Sequence, residues 1–202
     1  KTFGDKFPER FFNCGIAEGN MMSVAAGMAA AGVPVFASSF AMFATGRAFE
    51  QIRNSIGYPR LNVKIAASHA GITVGEDGAS HQCIEDISLM RGIPGMTVFC
   101  PADSAETQWA VKKALEIDGP VYIRLGRYAV EQVFTDCSNN EVGKGNVVAD
   151  GTDIAIFATG ITVAAAIKAR EALAEKGVSA AVVDIHTIKP FDTELANHLY
   201  RE

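Results

Sequence analysis

Two imidazoles and two carboxylates share one glycine-punctuated stretch, SHAGITVGEDGASHQCIED, from Ser68 to Asp86. His69 and His81 flank Glu76 and Asp77, and Gly71, Gly75 and Gly78 bracket the acidic pair. Imidazole titrates near neutrality, so it can take a proton from a substrate hydroxyl or return one. Asp77 can accept a hydroxyl and so read its configuration. The glycines allow tight turns and close approach of the backbone to a ligand. Asp, Gly and His are also ordinary turn residues, so the loop has a purely structural reading too. Cys83 and Cys100 lie nearby, but their spacing fits no common zinc pattern, and no metal site is expected.

Other candidates stand outside the loop. Glu18, in GIAEGNM, has Ile16, Ala17, Met21 and Met22 for neighbours. Apolar surroundings predict a raised carboxyl pKa there, and a nearby helix N-terminus pulls the other way. Phe40 and Phe43 are three residues apart, close enough on a helix to form one aromatic wall. Arg127 ends the run YIRLGR and offers the planar fork that grips phosphates. Arg124 precedes it, and strand alternation predicts that the two point to opposite faces.

The elements that must position these groups alternate. Short strands are expected at Phe11–Cys14, Val33–Ala37, Leu61–Ala67, Met96–Cys100 and Pro120–Leu125. Helices are expected at Ile16–Ala31, Ala41–Ile56, Cys83–Arg91 and from Asp103 or Ser104 to Glu116, with a capping-box spacing from Asp103 to Glu106. Alternation of this kind predicts an α/β fold with a mostly parallel sheet and helices on both faces. Residues 135–150 are polar and read as a linker. Residues 151–202 begin a second α/β domain, with strands Asp153–Ala158 and Val178–Ile185 and helices Val163–Glu175 and Thr193–Tyr200. That second unit is incomplete. Its open sheet edges predict a longer protein or a covering partner.

Nearly half of the 202 residues are hydrophobic, enough for a large core. A net charge of −5 without a basic cluster argues against a nucleic-acid binder. Four scattered cysteines fit a reducing compartment, and a cytoplasmic location is expected. No apolar run is long enough to span a membrane. No G-x-G-x-x-G follows a strand, so a nicotinamide-dependent dehydrogenase is not expected.

Taken in order, GIAEGNM, SSFAMFATGRAFEQIR, HAGITVGEDGASHQ and YIRLGR resemble the pyrimidine-binding domain of transketolase, and VVDIHTIKPFD resembles the start of its C-terminal domain. The resemblance assigns residues 1–134 to the first domain and 151–202 to the second. It implies transfer of a two-carbon ketol unit from a ketose phosphate to an aldose phosphate, as in pentose phosphate metabolism. It implies thiamine diphosphate, with Mg²⁺ or Ca²⁺ held by a diphosphate-binding half on another domain or subunit, and at least a dimer. Glu18 would share a proton with the cofactor's pyrimidine ring, and Phe40 and Phe43 would pack against that ring. His69 and His81 would move substrate protons, His69, Asp77 and His81 would hold the sugar, and Arg127 would grip its phosphate. Two positions depart from the family: Gly19 replaces a Gln, and Gly46 replaces a third aromatic. Deoxyxylulose-phosphate synthase shares the fold, but usually has Arg where His69 stands and Ala or Lys where Glu76 stands. A non-catalytic partner subunit is the reading from another class.

Overall fold

The computed structural model describes residues 2–201. Strands β1 (Val35–Ala37), β2 (Val63–Ala67), β3 (Thr97–Phe99) and β4 (Val121–Arg124) run parallel in the order β1-β2-β4-β3. At the centre, β4 shows how the layers arise. Tyr122 packs into a core on one face, while Val121 and Ile123 pack into a core on the other. Residues buried on both faces give the near-continuous apolar run typical of parallel strands.

Helix α2 (Glu18–Ala30) and a helical stretch α3 (Met42–Arg47, Phe49–Gln51 and Ile52–Gly57) cover the first face. Met22, Ala25, Ala26 and Ala29 make the buried stripe of α2, and their small side chains let the helix sit close on the sheet. Much of α3 is wound as π-helix rather than the expected α-helix. The Thr45 hydroxyl donates to the Ala41 carbonyl at 2.7 Å, which competes with the backbone ladder and favours a wider turn. Helix α4 (Asp86–Arg91) follows the histidine loop, and α5 (Ser104–Glu116) covers the opposite face through Trp109, Ala110 and Ala114.

The second unit is a three-stranded sheet, β5-β7-β6, from Asn146–Ala149, Ala180–Asp184 and Ile154–Ala158. Helix α6 (Thr162–Ala174) packs on it, and α7 (Thr193–Arg201) follows. A short helix α1 (Thr2–Lys6) precedes the first unit.

Several expectations need correction. Residues 11–14 form no strand: Asn13 Oδ1 accepts the Gly15 N–H at 2.9 Å, turning the chain before any pairing. Cys83 is held in an antiparallel bridge to Gly71, so α4 starts at Asp86 rather than at residue 83. Within 135–150, residues 146–149 are strand β5. Strand β8 (Thr187–Lys189) was not expected at all; it adds antiparallel to β3 and so carries the second unit into the first sheet. No helix among the described residues is long and apolar enough to cross a membrane.

Asp103 does cap α5, accepting the Glu106 N–H at 3.0 Å. Glu106 reaches back to the Ala102 N–H, one residue beyond the N-cap N–H of the usual box. The other Asp103 oxygen accepts the N–H groups of Val133 and Phe134. One buried carboxylate thus ties a helix start to a distant segment. Asp103→Ala should cost about 2–4 kcal/mol, the sum of a lost cap and stranded donors. A urea titration checks this, and a loss below about 0.5 kcal/mol would show that water replaces the carboxylate.

Candidate active site

Glu18 is the first residue of α2 and is only 6% exposed. Its Oε1 accepts from the Ser39 hydroxyl at 3.2 Å, and its Oε2 from Arg47 Nη1 at 3.0 Å. Burial pushes its pKa up, but its own backbone N–H, Arg47 and Ser39 together outweigh burial, and the carboxyl lies below its ordinary value. This corrects the raised pKa expected from apolar neighbours. The missing knowledge was Arg47, brought back onto Glu18 by α3.

From Glu18 the contacts lead straight to the aromatic residues. The Arg47 guanidinium lies over the Phe43 ring, 4.5 Å from its centroid. Phe40 and Phe43 are 6.3 Å apart with nearly parallel rings. Phe40 also stacks on His69 at 3.7 Å, and His81 meets Phe43 edge-on at 5.0 Å. The fold therefore gathers Glu18, Phe40, Phe43, His69 and His81 into one continuous cluster. Each histidine has a serine hydroxyl 2.9 Å from Nδ1, Ser68 for His69 and Ser80 for His81.

The two departures have physical reasons. A Cβ on Gly46 would lie 2.6 Å from Met42 Cε, so a methionine fills the space where an aromatic ring was expected. A Cβ on Gly19 would lie 3.3 Å from Gln51 Oε1, so a glutamine from α3 reaches the place expected of a glutamine at position 19.

The histidine loop is clasped at its neck. Gly71 and Cys83 exchange two backbone hydrogen bonds, and the Ala70 N–H donates to the Leu125 carbonyl. Beneath it, the wholly buried Asp86 accepts from Tyr122 Oη and Arg124 Nε, both at 2.7 Å. The Arg124 guanidinium reaches the loop, 3.2 Å from where a Gly71 side chain would begin. His69 itself takes a left-handed backbone, φ 60°, which imposes strain on a non-glycine residue.

Arg127 lies three residues beyond the end of β4, so strand alternation does not govern it. It grips Glu76 through both terminal nitrogens, at 3.2 and 2.7 Å, and donates to the Val74 carbonyl. Asp77 is 3.6 Å from Arg127 Nε. The hydrogen bond from Arg127 holds the Glu76 carboxyl down at about 2. The clamp expected for phosphate is thus already closed on an exposed carboxylate of the same loop. Sequence reading missed Ser39, Arg47 and Asp86, and it found no partner for Arg124. Arg47 and Ser39 lay inside a quoted motif, and nothing in their spacing marked them as partners of Glu18.

With Glu18 lowered, its charge contributes stability above its unfolded value of 4.5, and that contribution is lost as pH falls through the lower folded value. Carboxyl NMR titration should place the Glu18 midpoint below 4.5, and Arg47→Gln should raise it. An unchanged midpoint in the variant would show that the ion pair does not set the charge state.

Comparison with known proteins identifies the family. Residues 1–132 match the family model for the transketolase pyrimidine binding domain, and residues 143–202 match that for the transketolase C-terminal domain. A putative transketolase C-terminal section of Methanocaldococcus jannaschii is 53% identical over 195 residues, covering 96% of this chain and 62% of the relative. The 6-deoxy-6-sulfo-D-fructose transketolase subunit SqwH of Clostridium sp. is 45% identical, covering 96% and 60%. A solved structure described as a split gene transketolase, inactive beta4 tetramer, superposes with a TM-score of 0.91 at 56% identity, covering 98% of this chain and 64% of that one. The chain thus spans about three fifths of the length of these relatives. Two family models account for nearly all of its residues, and the protein belongs to the transketolase family.

Proposed function

We propose that this chain supplies the pyrimidine-binding half of a ketol-transfer site that uses thiamine diphosphate and is completed by a separate diphosphate-binding section. The family's first domain is the pyrimidine-binding one, which supports the cofactor. When bound, thiamine diphosphate supplies the carbon that accepts and passes on the two-carbon unit. The residues present fit its flat pyrimidine: a buried carboxyl linked through Arg47 to two nearly parallel phenyl rings. That pairing of Glu18 with Phe40 and Phe43 is the observation that carries the reading.

Glu18 has to hold a proton for a ring nitrogen, yet Arg47 keeps it ionised in this structure. The Arg47 side chain is 53% exposed at the end of a π-helical turn, so it is placed to let go. Loosening that contact returns Glu18 to the influence of burial, which raises its proton affinity. His69 and His81 then stand over the aromatic wall to exchange protons with the donor's hydroxyls. Asp77 reads a hydroxyl from the same loop. Arg127 takes the sugar phosphate once Glu76 gives way, exchanging one bidentate anion for another. The divalent cation for the diphosphate, Mg²⁺ or Ca²⁺, belongs to the other section, as does any acceptor range. A second copy of the chain is expected in the assembly.

Mixing the chain with a diphosphate-binding section, thiamine diphosphate and Mg²⁺ tests this, with xylulose 5-phosphate as donor and ribose 5-phosphate as acceptor. The chain alone should be inactive and the mixture active. Glu18→Ala should lower turnover at least about 100-fold with the fold intact by circular dichroism. Activity retained in that variant would favour a non-catalytic subunit. Separately, Glu76→Ala should free Arg127 and lower KM for a phosphorylated donor about 3- to 10-fold with little change in kcat. A raised KM would show that Glu76 orders the loop rather than competing for its arginine.

A further inference from the structure

Away from the loop, three titratable side chains meet where the two units join. Glu106 comes from the first turn of α5, Asp184 ends β7, and His186 lies between β7 and β8. All three are fully buried. One ligand atom from each lies within 4.8 Å of the other two, and this is the one such group among the described residues. Nothing in the ketol-transfer reading uses them.

Their hydrogen bonds leave a specific deficit. His186 Nδ1 is 2.9 Å from the Thr187 hydroxyl. If Nδ1 carries the proton, Nε2 is a bare lone pair, and Nε2 is buried without a partner. Asp184 Oδ1 is likewise buried without one. Only four buried side-chain atoms among the described residues are orphaned in this way, and two belong to this cluster. The other oxygens are held from outside. Glu106 accepts from the Ala102 N–H and Asn140 Nδ2, and Asp184 Oδ2 accepts from Asn146 Nδ2 at 3.4 Å. The His186 ring is met edge-on by Trp109, whose indole N–H donates to the Asn140 carbonyl. None of these partners is a lysine or an arginine.

Two carboxylates buried with no cation are costly. A proton shared between them relieves the charge, but leaves the imidazole nitrogen unmatched. A divalent cation relieves the charge and satisfies all three groups together. We propose that Glu106, Asp184 and His186 form a structural site for a zinc-type divalent cation that fastens the second unit to the first. Imidazole with two carboxylates suits first-row transition ions better than Mg²⁺ or Ca²⁺. The flanking amide and hydroxyl contacts fix each ligand's orientation, as such sites require. The location gives the ion a task. His186 precedes β8, the strand that crosses into the first sheet, and its carbonyl accepts the Cys100 N–H at 2.8 Å.

The test uses the full chain without a histidine tag. It is stripped with a strong chelator and then offered Zn²⁺ or Co²⁺. Mass spectrometry of the gel-filtered protein should find about one Zn²⁺ per chain, with a rise in melting temperature of several degrees. Asp184→Asn and His186→Gln should each lower the bound zinc at least about 10-fold and abolish that rise. Should either variant fail to fold, Co²⁺ absorption of the wild type reads the ligand set directly, and bands of low-coordinate nitrogen and oxygen ligation are expected. Three results would overturn the proposal. One is a stripped wild type that neither takes up metal nor gains stability. Another is zinc content unchanged in folded variants. The last is a Co²⁺ spectrum of hexahydrate type. The first of these would assign the cluster to a shared proton. None depends on catalysis, so the outcome is separable from the ketol-transfer reading.

Discussion

A carboxylate removed from water has to be compensated, and around Glu18 that requirement organises the first unit. Ser39 follows β1, Arg47 ends the first π-turn of α3, and Glu18 opens α2. Three elements meet because one buried charge has to find its donors. The same meeting brings Phe43 under the Arg47 guanidinium and so sets one side of the aromatic wall. The arrangement holds Glu18 in its ionised form. That state is stable for the chain by itself and is opposite to the proton-sharing state proposed for catalysis.

The histidine loop depends on a second buried carboxylate. Asp86 draws Tyr122 and Arg124 of β4 toward the start of α4, and Arg124 in turn lies against Gly71. A non-glycine residue with positive φ, His69, is tolerated because the loop neck is pinned on both sides of it. Such strain persists only where surroundings over-determine the backbone. The two imidazoles are therefore held by the sheet beneath them, and the Glu76–Arg127 pair lies at the exposed part of the loop.

The two units are joined by more than a linker. Strand β8 pairs with β3, the Cys100 N–H donates to the His186 carbonyl, and the Gly160 N–H donates to the Cys100 carbonyl. Buried polar groups concentrate at this joint, with Glu106, Asp184 and His186 among them. Burial raises the proton affinity of Glu106 and lowers that of His186, so the joint favours neutral forms or a bound cation over free charges.

Much of this was legible in the residue order. Periodicity and turn chemistry placed the β1, β2, β3 and β4 strands and the α2 and α5 helices to within a few residues, and Asp103 announced its cap. Motif order identified the family, and the resemblance proposed Glu18, the two phenylalanines, the histidines, Asp77 and Arg127 as its site residues. Local rules are enough for such features, because a period or a cap depends on neighbours in sequence. What only the tertiary structure decided were pairings across distance. These include Arg47 on Glu18, Glu76 on Arg127, Arg124 on Asp86, Met42 in place of a third ring, and β8 crossing between sheets. Charge states and space-filling depend on which side chains arrive from elsewhere, and no local pattern encodes that arrival. The expected rise in the Glu18 pKa failed partly for this reason: its sequence neighbours are apolar, but its own backbone N–H is joined by a hydroxyl and a guanidinium that arrive from elsewhere.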